Sequence, residues 1–207
     1  MKKVFFILLM VAMGHKALAQ LQLLQFEIFH NEKRVGSMSI SKTGNAHRYT
    51  IKSNFTVRIN LVLKNIQVQG YEVSNFEDGI LQTSIVLRKV NGKVKANKQT
   101  RKIASGYQVS GEGLPDKVIP LQKIRSNLMS IFFSEPVNNQ QVFSDNQQVL
   151  LHIVQKSANV YQITLPNGDF NSYTYSYDKC ALVELTTKWA TLVLRRTFEI
   201  DPGYPRD

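Results

Sequence analysis

A single cysteine among 207 residues cannot close an intrachain disulfide, so Cys180 is either a buried, inert thiol or one left free for an intermolecular bond. Eleven glycines and six prolines are too few for a collagen-like or low-complexity chain. Past the N-terminal region no stretch of 18 uninterrupted apolar residues occurs, which argues against a further membrane-spanning helix. Catalytic signatures are equally scarce. There is no Gly-x-Ser-x-Gly elbow, no Cys-His signature and no Gly-rich phosphate loop. Gly111-Glu112-Gly113 lacks the lysine and the following helix that such a loop needs, and it reads as a turn. His30, His47 and His152 fall on separate predicted strands or turns with no second ligand at metal spacing, so no metal and no other cofactor is expected. A general acid–base pair such as Glu135 with Asp145 is a guess that spacing does not support, and no enzyme is expected.

What is present begins with an address. Lys2 and Lys3 precede an apolar run over residues 4–13, followed by Gly14 and the small-residue triplet Ala17-Leu18-Ala19. This is the pattern of a secretory signal cut after Ala19. About ten apolar residues reach only about 15 Å as a helix, half of a roughly 30 Å hydrocarbon core, so a permanent anchor is disfavoured. No cysteine follows the triplet to carry a lipid. The expectation is a signal peptide over 1–19 and one β-rich domain over 20–207, periplasmic or secreted, with no transmembrane span after cleavage. The formal net charge of +11 includes Lys2, Lys3 and Lys16 of the leader, so the exported product is moderately basic. A nucleic-acid partner is not expected of an exported chain without an aromatic-basic recognition motif.

The clearest structural signal is alternation. Tyr49, Ile51, Ser53, Phe55, Val57, Ile59, Leu61 and Leu63 are apolar with one exception, and Thr50, Lys52, Asn54, Thr56, Arg58, Asn60, Val62 and Lys64 between them are polar with one exception. Side chains on a strand point to opposite faces every second residue, so one face is apolar and the other wet. Fifteen residues at about 3.3 Å each would extend roughly 50 Å, so the strand must bend or break. A strongly curved sheet with the apolar face on its concave side accommodates it. Leu24, Phe26 and Ile28 share one face of a first strand, and Gly36, Met38 and Ile40 one face of a second, with Asn31-Glu32-Lys33 between them. Glu77-Asp78-Gly79, Asn91-Gly92 and Asn167-Gly168 mark further turns, Asn91-Gly92 suiting a type I′ hairpin. A meander follows over 149–155, 160–165, 170–177, 181–187 and 191–200, for ten to twelve antiparallel strands in all.

One stretch breaks the alternation. Leu121, Ile124, Leu128, Ile131 and Phe132 recur at spacings of three and four between Pro120 and Pro136, which predicts a helix of about three turns. A half-barrel or open barrel bent around that helix is the simplest way to cover its apolar stripe, and it leaves room for an apolar pocket beside it.

Two surface features carry further information. Between Arg88 and Lys102 stand seven basic residues, Arg88, Lys89, Lys93, Lys95, Lys98, Arg101 and Lys102, and no acidic one, and across the Asn91-Gly92 turn they form a basic hairpin. Such a hairpin attracts anionic lipid headgroups or is a solvated edge whose lysines prevent strand-to-strand aggregation. Tyr173, Tyr175 and Tyr177 share one predicted strand face, either lining a ligand surface or packing across strands at the core margin.

The signal peptide, the long early strand, Phe133-Ser134-Glu135-Pro136, Leu165-Pro166-Asn167-Gly168 and Tyr173-x-Tyr175 ahead of Cys180 together resemble a family of small exported bacterial proteins known only as a domain of unknown function. Asp178-Lys179 stands where that family has an Asn-Gly turn. The resemblance implies no reaction and no site residues. Its architecture is similar to the half-barrel of periplasmic lipoprotein carriers, in which a curved antiparallel sheet closed by a helix holds acyl chains. The expected function is therefore a soluble envelope protein binding a lipid or an acylated protein in the hollow of its sheet. Tyr49, Ile51, Phe55 and Val57 on the sheet and Leu128 and Phe132 on the helix are the expected contacts, with the basic hairpin meeting anionic headgroups. The alternative is a structural or interaction protein of the envelope whose core is filled by its own side chains.

Overall fold

A computed structural model describes residues 20–61, 64–137, 140–188 and 190–197. The expected signal peptide over 1–19, Val62-Leu63 of the long strand and Ile200 at the end of the last one lie outside the described residues. The first half of the chain supplies β1 (Gln20–His30), β2 (Lys33–Gly44), β3 (Arg48–Leu61), β4 (Lys64–Glu77), β5 (Ile80–Val90), β6 (Lys93–Ile103), β7 (Gly106–Gly111) and β8 (Leu114–Ile119). The second supplies β9 (Gln141–Ser144), β10 (Val149–Ser157), β11 (Val160–Thr164), β12 (Phe170–Ser176), β13 (Lys179–Thr186) and β14 (Thr191–Thr197). All fourteen belong to one antiparallel sheet in the order β8-β7-β6-β5-β4-β3-β2-β1-β14-β13-β12-β11-β10-β9. Two meanders are thus joined where β1 pairs with β14.

Local chemistry explains the hairpins. At Asn31-Glu32, Asp78-Gly79, Asn91-Gly92 and Tyr177-Asp178 both central residues have positive φ, between 49° and 77°. That is the type I′ geometry whose twist matches the flanking strands. Tyr177 therefore leaves the strand face shared by Tyr173 and Tyr175; it lies in the turn, 94% exposed, while the other two are buried. The long strand is unbroken from Arg48 to Leu61 and pairs with β4 throughout. Ile51, Ser53 and Val57 on its inner face are buried, while Lys52, Asn54 and Arg58 on the other are exposed.

The count exceeds the expected ten to twelve because β8 and β9 are short, six and four residues, too brief for alternation to register. The sheet is open, since β8 and β9 are both edges, yet its ends are drawn together. Lys98 Nζ in β6 donates to the Asn146 carbonyl at 2.6 Å, and Gln148 Nε2 donates to the carbonyls of Gln99 and Ser110 at 3.1 and 2.8 Å. A sheet whose β9–β10 turn reaches back to β6 and β7 must be strongly curved.

The expected helix over 121–132 is not formed. Only Ser130–Phe132 make a 3-10 turn, and the rest is an irregular strap across the concave side. Its backbone groups are engaged with strands instead. Leu81 N donates to Ile124 O at 2.9 Å, Phe143 N to Ser126 O at 3.0 Å, and Leu128 N to Phe143 O at 3.0 Å. The last two cover the free edge of β9. At its middle Asn127 folds the chain on itself: its Oδ1 accepts from Ser130 N at 2.9 Å and its carbonyl from Ser130 Oγ at 2.8 Å. Asn and Ser compete in this way with the helical ladder. The spacing of three and four marked burial correctly, since Ile124, Ile131 and Phe132 are all buried, but it did not specify the backbone.

Tyr107 fastens the strap. Fully buried, its hydroxyl donates to Leu81 O at 3.0 Å and accepts from Ile124 N at 3.0 Å. Tyr107→Phe leaves a buried carbonyl and a buried N–H each short of a partner, an expected loss of about 2 kcal/mol in chemical denaturation. A change below about 0.5 kcal/mol would mean that the strap is held elsewhere.

Candidate functional site

The inner rows of the sheet do not meet. Met38, Ile40 and Val57 on one side and Val183, Leu185 and Leu194 on the other wall a cavity of about 320 Å³, roofed by Leu128, Met129 and Phe132 of the strap. The roof is anchored by aromatic edges, Phe132 lying 5.4 Å from Phe26 at 82° and 5.9 Å from Tyr173 at 86°. It is also held by the Tyr175 hydroxyl, which donates to Ile131 O at 2.8 Å. A larger hollow of about 430 Å³, beside Glu27, Arg34 and Asn54, is bounded mostly by polar side chains and offers no apolar enclosure.

Polar groups sit at one end of the apolar cavity. In the register of β3, β4 and β5, Phe55, Gly70 and Arg88 are directly opposite one another. Gly70 leaves the space that the Phe55 ring occupies, since a Cβ there would overlap the ring. Arg88 leans over this gap, its guanidinium carbon 5.8 Å from the Phe55 centroid. Its Nη2 donates to Glu72 Oε1 at 3.0 Å, one diagonal step along the neighbouring strand. Both side chains line the cavity, Glu72 14% and Arg88 38% exposed, so the guanidinium marks where the hollow meets water.

Asp145 completes this wall from the β9–β10 turn. It is 3% exposed, and its Oδ2 accepts from Asn127 Nδ2 at 2.7 Å. Asn127 is itself fully buried and donates also to Ser74 Oγ at 2.8 Å. Burial, chiefly, pushes the Asp145 carboxyl up to about 7; the Ser84 hydroxyl opposes this, the Glu72 charge adds to it, and the Asn127 amide opposes it. Ser84 nevertheless completes no bond to Oδ1. Asp145 Oδ1 and Arg88 Nε are both buried without a hydrogen-bond partner among the described residues.

Four of the six expected contacts, Phe55, Val57, Leu128 and Phe132, line this cavity. Ile51 is buried in the core away from it, and Tyr49 stacks on Phe76 at 4.9 Å with Lys42 Nζ 4.2 Å from its ring centre. The pleat and a bulge divide the basic hairpin. Arg88, Lys98 and Lys102 share the face that carries buried Ser84 and Thr100, and Arg88 and Lys98 are engaged as described. Lys89 and Arg101 lie on the opposite face, Lys95 is the extra residue at the register shift, and Lys93 is exposed beside the turn. The hairpin is not an edge: β5 and β6 lie within the sheet. Glu135 and Asp145 are held separately, Glu135 Oε1 accepting from the Tyr161 hydroxyl at 2.8 Å. Cys180 is fully buried, and burial pushes its thiol up to about 12.

Among the described residues no group of three His, Cys, Asp or Glu is placed to hold a metal, and no helix is long and apolar enough to cross a membrane. Sequence reasoning did not find Glu72 or Asn127, nor a binding role for Asp145. The one available signal was the row Val68, Gly70, Glu72, Ser74, Phe76, in which a charge interrupts an otherwise apolar and small face.

An open, curled antiparallel sheet roofed by an irregular strap defines a barrel-like protein. Residues 26–197 match the model of a domain of unknown function, DUF6134, and the chain belongs to that family. The fold is similar to the crystal structure of a beta-barrel-like protein of domain of unknown function DUF1849 from Brucella abortus, with a TM-score of 0.57 at 8% identity over 84% of this chain and 95% of that one. No curated protein matches the sequence.

Proposed function

We propose that the protein is an exported envelope protein that holds an apolar ligand, a lipid or the acyl chain of another protein, in the hollow of its sheet. The observation that carries this reading is the apolar cavity of about 320 Å³ left between sheet and strap. Such a volume lies at the small end of the roughly 300–1,000 Å³ of ligand sites. A core closed by its own side chains, as a purely structural protein requires, would leave no such space. Transfer of an acyl chain from water supplies roughly 0.8 kcal/mol per buried CH₂ group. Lys89, Lys93, Lys95 and Arg101, not engaged by the cavity, add a long-range attraction to anionic surfaces. Delipidated protein mixed with envelope lipid extract is expected to retain lipid stoichiometrically in native mass spectrometry, and a spectrum of ligand-free protein alone would overturn the reading.

A further inference from the structure

An apolar cavity alone does not choose among amphiphiles; the groups at its end do. Asp145 and Arg88 both line this cavity, and Asp145 Oδ1, an acceptor, and Arg88 Nε, a donor, are each buried without a partner among the described residues. Unsatisfied buried polar atoms are costly, so a ligand that supplies what they lack gains over one that does not. A hydroxyl group both donates and accepts. A carboxylate head only accepts, and here it would be desolvated beside two carboxylates, Asp145 and Glu72, and one guanidinium already paired with Glu72.

We propose that the cavity takes an amphiphile with an apolar body and a hydrogen-bond-donating head, a hydroxyl foremost, seated with its head against Asp145 and Arg88. This rests on the ligand-holding function proposed above and specifies the ligand class. The donated bond runs to Asp145 Oδ1, because Oδ2 is occupied by Asn127. Anionic headgroups are then excluded from the cavity.

The test is calorimetric titration of the delipidated full chain at pH 8 with 1-decanol, decyl methyl ether and decanoate. The ether matches the alcohol in length but cannot donate. The alcohol is expected to bind about tenfold or more tightly than either competitor, the equivalent of one hydrogen bond to a charged acceptor. In Asp145→Asn the side-chain carbonyl keeps the Asn127 bond and an NH₂ replaces Oδ1, so an acceptor becomes a donor. The advantage of alcohol over ether should fall to about onefold or invert. Equal binding of alcohol and ether to the wild-type chain, or preference for decanoate, would overturn the head-group assignment while leaving the cavity as a ligand site. Binding of none of the three would overturn both. The wild-type comparison decides the matter even if the variant does not fold.

Discussion

Replacing Asp145 by asparagine is expected to stabilise the protein by about 2–4 kcal/mol at pH 8 and by less than about 1 kcal/mol at pH 4. The reason is that burial raises this carboxyl from 3.8 to about 7. Between those values the native protein holds a proton that the unfolded chain has already released. Proton binding thus favours the native state, so wild-type stability declines as pH rises through about 4 to 7 and the full penalty is present above 7. At about 1.4 kcal/mol per pH unit the upper bound is roughly 4 kcal/mol. Asparagine carries no charge at any pH and can keep the Asn127 bond, so the variant should lose this decline. Urea denaturation of both proteins at pH 4, 6 and 8 measures it. Parallel pH profiles would show that Asp145 does not titrate between those limits and that its charge is solvated in the native state.

This cost also shows what the sequence could and could not reveal. From β10 onward the strands of the second meander were legible almost to their ends, because turn residues such as Asn167-Gly168 and alternating runs such as Val160–Thr164 are local signals. The inner face of β3 was legible for the same reason. The strap was not: its apolar spacing reports which side chains are buried, and both a helix and an irregular chain can bury residues three and four apart. What decides between them is the demand of β9 and β5 for partners at Ser126, Leu128 and Ile124, a long-range fact. The polar end of the cavity was hidden more deeply. Asn127 reaches Ser74 across 53 residues and Asp145 across 18, and Glu72 meets Arg88 only through a register that no window of sequence contains. The seven basic residues of the hairpin look like one patch in the sequence, but strand pleating sends them to two faces.

The roof of the cavity should prove to be its most sensitive apolar element. Phe132→Ala is expected to cost about 3–5 kcal/mol, the range for truncating a buried phenylalanine. Phe132 is 8% exposed, and its ring meets Phe26 from β1 and Tyr173 from β12 edge-to-face. Those strands lie on either side of the β1–β14 junction, so one ring ties the strap to both meanders. Each aromatic contact adds about 0.5–1.5 kcal/mol beyond the area buried. The neighbouring hydrogen bond from Tyr175 to Ile131 O survives the truncation, so the strap stays tethered while its apolar contact is lost. The vacated space joins a cavity that already exists, which leaves little opportunity for the walls to relax inward and offset the loss. Leu128→Ala, a partly buried neighbour on the same roof, is the control and should cost distinctly less. Guanidinium denaturation of the three proteins compares them directly. A cost for Phe132→Ala below about 1 kcal/mol, or one no larger than that of Leu128→Ala, would mean that the strap is held by its backbone hydrogen bonds and that the aromatic contacts merely fill space.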